Sequence, residues 1–282
     1  MPQTVFITGC SSGIGRETAL HFQREGWNVV ATMRRPEAER ELDPLDRVAV
    51  LALDVTDSDS IARAVDVALE RFGAIDVLVN NAGYGAYGPL EVTSRAKMLR
   101  QLETNVIGVL ETTKAVLPHF RSRKAGTVVN ISSAGGRSAG PLGALYYASK
   151  FAVEGLSESL CFELAAIGVR IKVVDPGLVA TDFNSRSMDI SNEPAIEEYQ
   201  PVIRAMVSGA SSVTGDSGGE TYRATPDVTA ADIFAAATDS SGRLRFPSGE
   251  DAKASAEVLR SKGSEEHLRS KLRAFGLSAH AE

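Results

Sequence analysis

Short runs rich in Val, Ile and Leu alternate with helix-length amphipathic segments across residues 4–180, and this alternation constrains the fold more than any other feature. Strands are expected at Thr4–Thr8, Asn28–Met33, Val48–Leu53, Val77–Asn80, Thr127–Ile131 and Arg170–Val174. Their density of branched apolar residues suits strands covered on both faces. Helices are expected at Gly13–Arg24, Asp59–Phe72, Ala96–Phe120 and Ala144–Ala166. Strands joined through helices make right-handed βαβ units, so the prediction is an α/β fold built on a doubly wound parallel sheet. No linker rich in Pro, Gly or Ser interrupts residues 1–180, which read as part of one domain.

The remainder reads differently. Residues 182–227 mix apolar positions such as Phe183, Met188 and Tyr199 with the Gly- and Ser-rich stretch Ser208–Gly219, and are expected to form a substrate-binding lid in which Ser208–Gly219 is mobile without ligand. Arg243–Phe246 is expected as one more strand. Glu250–Lys262 and Ser264–Phe275 have helical composition, with Gly263 and Gly276 as stops. The expected division is a main domain over residues 1–246, including that lid region, and a helical C-terminal extension over 247–282.

The first strand runs straight into Gly9-Cys10-Ser11-Ser12-Gly13-Ile14-Gly15, and a helix follows. Glycines are needed where a backbone turns tightly and approaches a pyrophosphate, whose charge then rests on free N–H groups of the helix N-terminus. The spacing G-x-x-x-G-x-G differs from the common G-x-G-x-x-G dinucleotide fingerprint, so the strand–turn–helix context carries the reading. At the end of the second strand, an NAD-selective sheet usually places a carboxylate for the ribose 2′-hydroxyl. Here Met33 occupies that place and Arg34 and Arg35 follow. A guanidinium bonds a 2′-phosphate in bidentate fashion, so NADP(H) is expected to be preferred, with NAD(H) also admitted and Ser11 assisting.

Tyr146-Tyr147-Ala148-Ser149-Lys150 opens a predicted helix. A spacing of four puts Tyr146 and Lys150 on one helix face, where an ammonium is expected to lower the phenol from its usual value of about 10 toward the range a general acid–base needs. Tyr147 has no lysine at that spacing. Ser133 ends a strand, at the sheet edge where its hydroxyl could bond a substrate oxygen.

Taken together, these residues resemble the short-chain dehydrogenase/reductase family, and the glycine-turn wording and the tail are similar to its steroid- and retinol-dehydrogenase-like branch. The matched motifs are Thr8–Gly15, Asp54 after the third strand, Asn80-Asn81-Ala82-Gly83, Asn105, Ser133, the Tyr146/Lys150 pair and Pro176-Gly177-Leu178-Val179-Ala180-Thr181. The resemblance implies a Rossmann-type fold and an oxidoreductase moving a hydride between NADP(H) and a carbonyl or secondary alcohol. It implies that Asp54 and Val55 lie beside the adenine, that Asn81, Ala82 and Gly83 line the cofactor, and that Pro176, Gly177, Val179 and Thr181 receive the nicotinamide carboxamide. Tyr146 would transfer the proton, Lys150 would also hold the nicotinamide ribose, Ser133 would orient the carbonyl, and Asn105 would hold a relay water. A catalytically silent nucleotide-binding relative is the alternative on the same fold, and a nucleotide-sugar epimerase a third reading.

Composition narrows the partners. A net charge of −6 gives no general attraction to nucleic acid or anionic membranes. No apolar run is long enough to span a bilayer, the expected location is cytoplasmic, and neither the two cysteines nor the four histidines show metal-ligand spacing. The substrate is expected to be a mainly apolar small molecule, from the residues of 182–227 and the turn Tyr84–Pro89. The Ala96–Phe120 and Ala144–Ala166 helices offer apolar faces for a homodimer.

Overall fold

A computed structural model describes residues 2–181, 187–209 and 224–277, with side chains left aside at 207–209. Its strands are β1 (Thr4–Ile7), β2 (Asn28–Met33), β3 (Val48–Ala52), β4 (Val77–Asn80), β5 (Gly85–Tyr87), β6 (Gly126–Ile131), β7 (Val169–Pro176), β8 (Met188–Ile190) and β9 (Arg245–Ser248). The helices are α1 (Gly13–Arg24), α2 (Ser58–Phe72), α3 (Arg95–Leu102), α4 (Gly108–Arg123), α5 (Ala144–Ala165), α6 (Gln200–Gly209), α7 (Pro226–Thr238) and α8 (Glu250–Ala274).

Seven strands pair in the order β3-β2-β1-β4-β6-β7-β9, every pairing parallel, so the expected doubly wound sheet is present. Alternation along β1 sends Val5 and Ile7 to one face and Phe6 to the other. The first face packs on α1 and α7, where Phe22, Trp27 and Phe234 meet edge-on with ring centroids 5.0–6.0 Å apart. The second face packs on α2, α4 and α5 through Ile61, Val65, Val116, Phe120 and Leu164. Local signals set the helix ends: the Asp57 carboxylate accepts the Asp59 and Ser60 N–H groups at 2.9 and 3.1 Å, and Gly73 closes α2 at φ 77°.

Two differences from the sequence expectation bear on function. The single helix expected over Ala96–Phe120 carries a wide π-type turn at Glu103–Ile107, between α3 and α4. The helix α7 was not anticipated, although Pro226 at its first turn after Thr225 is a start signal. Of the expected lid, β8 and α6 lie among the described residues, whereas 182–186 and 210–223, with most of Ser208–Gly219, lie outside them. The last helix bends at Gly263, φ 78°, where the sequence placed a stop.

Candidate active site

Because β1 and β4 are neighbours, and the helices that follow them pack on opposite faces, a crevice opens at the carboxyl edge between them. Gly9 turns there at φ 76°, and a Cβ on it would stand 2.8 Å from Ala82 Cα. A Cβ on Gly15 would overlap the Gly9 carbonyl oxygen, and Gly13, at φ 57°, lies against the Thr181 methyl. The turn is braced from β4. The Asn81 amide donates to the carbonyls of Thr8 and Gly9 at 2.9 and 3.1 Å, and the Asn81 and Ala82 N–H groups both donate to Thr8 Oγ1 at 3.0 Å. Ser12 precedes α1 without capping it through its side chain, so the first-turn N–H groups of Ile14 and its neighbours remain suited to an anion. Bare glycines around an uncapped helix start fit a dinucleotide pyrophosphate.

Arg34 and Arg35 follow β2 with exposed guanidinium groups, and neither group makes a hydrogen bond or ion pair among the described residues. The sequence reading missed what holds this loop. Arg16 bonds the Ser11 carbonyl at 3.0 Å, Glu39 at 2.8 Å and Glu41 at 3.0 Å, tying the glycine turn to the segment after β2. Burial pushes the Glu39 carboxyl up, but the N–H groups of Leu42 and Glu41 and the Arg16 charge outweigh it and hold it below the ordinary value. Asp54 accepts the Thr56 N–H and hydroxyl at 3.0 and 2.8 Å, while Val55 packs where a Cβ on Gly108 would fall.

Along the same edge, Ser133 lies two residues past the end of β6, Tyr146 and Lys150 open α5, and Pro176 ends β7. The Ser133 hydroxyl accepts the Gly135 N–H at 3.0 Å, and its one proton has two oxygens within reach, the Pro176 carbonyl at 3.4 Å and the Tyr146 phenol. The Lys150 ammonium donates to the Ile131 carbonyl at 2.8 Å and sits 5.9 Å from the Tyr146 ring centre. Burial pushes Lys150 down to about 8, against the pull of Asp175 and Glu154. Tyr146 departs from expectation. Burial pushes its phenol up rather than Lys150 drawing it down, and the Ser133 hydrogen bond offsets part of the rise.

Asn105 lies in the wide turn and is buried. Its amide donates to the Tyr84 carbonyl at 2.9 Å and to Ser149 Oγ at 3.1 Å, and its oxygen accepts the Tyr84 N–H at 3.1 Å. It therefore joins the β4–β5 turn to α5 one residue before Lys150, and a Cβ on Gly83 would approach its oxygen to 3.2 Å. Tyr87, in the turn that the sequence assigned to an apolar pocket, lies against Tyr146 with ring centres 5.4 Å apart, and Tyr147 stands 5.6 Å from Tyr146. The three rings pack together, with Tyr87 coming from β5, which pairs with β8. Asp189 in β8 pairs with Lys97 at 2.7 Å and Arg100 at 2.5 Å on α3. At the far end, Gly177 follows β7, and Val179 and Ala180 run beside Ala224.

Comparison with known proteins agrees with this geometry. The model of the short chain dehydrogenase family matches residues 3–191. An oxidoreductase of Schizosaccharomyces pombe is 40% identical over 227 residues, covering 77% of this chain and 89% of the relative. Human retinol dehydrogenase 8 is 40% identical over 194 residues, 66% of this chain and 61% of the relative. A 3-ketodihydrosphingosine reductase of Bacteroides thetaiotaomicron is 40% identical over 191 residues, 68% of each. The crystal structure of a short-chain dehydrogenase from Streptomyces avermitilis superposes with a TM-score of 0.78 at 34% identity, over 99% of this chain and 97% of that one. The NADP-bound structure of ElxO gives 0.71 at 29% identity, over 88% of this chain and 98% of that one. The chain belongs to the short-chain dehydrogenase family and is an NAD(P)-dependent oxidoreductase.

Proposed function

We propose that this oxidoreductase interconverts a carbonyl and a secondary alcohol on a mainly apolar small molecule, prefers NADP(H), and uses Tyr146 as its general acid–base. The Ser133–Tyr146 hydrogen bond at the sheet edge, with the Lys150 ammonium anchored on Ile131 beside it, is the observation that carries this reading. The nicotinamide, when bound, supplies or accepts the hydride. Tyr146 gives its proton to the carbonyl oxygen in reduction and removes it from the alcohol in oxidation. Ser133 holds the same oxygen and stabilises charge as it develops. Lys150 keeps a positive charge next to the phenol at neutral pH and reaches the ribose. The wide turn at Asn105 takes backbone carbonyls out of the regular helical ladder, where a water can pass the proton onward.

For the cofactor, Gly9, Ser11, Ser12, Gly13, Ile14 and Gly15 would hold the pyrophosphate, and Arg34 with Arg35 would bind the 2′-phosphate. Asp54 and Val55 would serve the adenine, Asn81, Ala82 and Gly83 would line the cofactor, and Pro176, Gly177, Val179 and Thr181 would receive the carboxamide. NADP-bound structural neighbours support the preference, while a neighbour complexed with NADH keeps NAD(H) open. Relatives named for retinol and for 3-ketodihydrosphingosine support an apolar substrate, as does the Tyr87–Tyr147 wall. Strand β8, paired with β5, adds to the substrate side of a catalytic domain of residues 1–246.

The exposed faces of α3, α4 and α5 favour a homodimer. No helix among the described residues is long and apolar enough to cross a membrane, and we place the protein in the cytoplasm. A panel of hydrophobic ketones and secondary alcohols, followed by absorbance of the reduced nicotinamide, tests the reading. Turnover with NADPH above NADH is expected, and no turnover across the panel with either cofactor would overturn it.

A further inference from the structure

The last helix grips both sides of this site. Asp251 stands in the first turn of α8, and its Oδ2 accepts the Leu178 N–H at 2.6 Å. Gly177 allows that approach, because a Cβ there would overlap the Asp251 carboxylate. After the bend at Gly263 the helix turns toward the opposite flank. There the Lys271 ammonium donates to the carbonyls of Ser138 and Ala139, each at 3.1 Å. Burial pushes Lys271 down to about 8, and no carboxylate pairs with it among the described residues. Among the described residues, the hydrogen-bond partners of its ammonium are these two backbone oxygens.

Those oxygens belong to the segment from Ser133 to Gly143, which builds the substrate side. Gly140 in that segment bonds the Tyr147 hydroxyl, and Gly135 and Gly143 press so closely on the Tyr147 ring that a Cβ would clash. A small cavity under α8, lined by Ala134, Arg137, Asp175, Ala252, Ser255 and Leu259, separates the two grips. The helix thus spans from the turn after β7 to the segment after β6.

We propose that α8 is a clamp coupling the turn at Pro176–Leu178 to the substrate-side segment Ser133–Gly143, with Asp251 and Lys271 as positioning residues at its two ends. This rests on the assignment of that edge as the catalytic site. A carboxylate fixing a backbone N–H sets where the nicotinamide-side turn lies, so losing Asp251 acts first on cofactor binding. An ammonium fixing two carbonyls sets where Ser133 and the Tyr147 wall lie, so losing Lys271 acts first on substrate.

The test uses the full-length protein, an active ketone from the panel and NADPH. Lys271→Met should raise the ketone KM roughly tenfold, the size of a lost charge-assisted hydrogen bond, and raise the NADPH Kd by a smaller factor through the shared helix. Asp251→Ala should raise the NADPH Kd by a similar factor. Lys271→Arg and Asp251→Asn, which keep a donor and an acceptor, should recover most of each loss and serve as the folded comparison where the larger change lowers Tm. If one helix couples the ends, the double variant should be less impaired than the product of the single effects. Wild-type constants in both single variants, or fully independent effects in the double, would overturn the clamp. A Tyr146→Phe variant in the same series separates the two claims. If it is active, the site assignment fails; if it is inactive while the α8 variants behave as wild type, only the clamp fails.

Discussion

Tyr146 and Tyr147 are adjacent in the chain, and their surroundings give them different work. The Tyr146 phenol meets Ser133, whereas Tyr147 meets the Gly140 backbone and burial pushes it up to about 12. The spacing to Lys150 distinguished the two rings in the sequence, because a helix puts i and i+4 together whatever the tertiary fold. The protonation state was not legible in that spacing, since it depends on burial that only the folded chain defines. Alcohol oxidation needs the phenolate, so its rate should rise with pH as Tyr146 loses its proton. The Ser133 hydrogen bond favours the charged form and lowers that pKa. Ser133→Ala should therefore move the rising limb of the kcat–pH profile to higher pH and reduce turnover at neutral pH. A limb that stays in place or moves to lower pH would show that Ser133 does not act on the phenol.

At the scale of elements, the strands read well because a buried parallel strand is a dense run of branched apolar residues, as in Val29, Val30 and Ala31 of β2. Helix α7 escaped because its Ala-rich run Ala235–Ala237 follows a Gly- and Ser-rich stretch that drew the reading toward a lid. The wide turn around Asn105 escaped for a different reason: a π-type turn adds one residue per turn and leaves no compositional mark. The loop after β2 belongs to this scale too. Its Arg34 is exposed, while Glu39 below it is locked by Arg16 and three backbone N–H groups. Arg34→Ala should weaken NADPH by about 1.5–3 kcal/mol, as for a charge-assisted contact, and leave NADH nearly unchanged. Fluorescence titration with both cofactors checks it, and an equal loss for both would assign Arg34 to structure.

For the whole molecule, the apolar surface that one sheet leaves uncovered is the main feature. Leu99, Leu102, Ile107 and Leu110 on the α3–α4 arm are exposed together with Phe151 and Phe162 on α5, Phe162 at 81%. Single exposed apolar residues are ordinary, but six along the α3–α4 arm and α5 are a surface suited to a second copy. Phe162→Glu should convert the proposed dimer to a monomer in light scattering at working concentration. A monomeric wild type, or a stable tetramer, would contradict the proposed assembly. Apolar helix faces were visible in the sequence, yet which of them the sheet would cover became clear only from the packing of Val116, Phe120 and Leu164 inward.

The most direct measurement is turnover of Tyr146→Phe beside Tyr147→Phe, with NADPH and one active ketone, after both variants are shown to bind NADPH as the wild type does. The account predicts that Tyr146→Phe binds cofactor normally but loses roughly two to four orders of magnitude in kcat, the contribution of a positioned acid–base group, while Tyr147→Phe remains active. Near-normal turnover by Tyr146→Phe would contradict it.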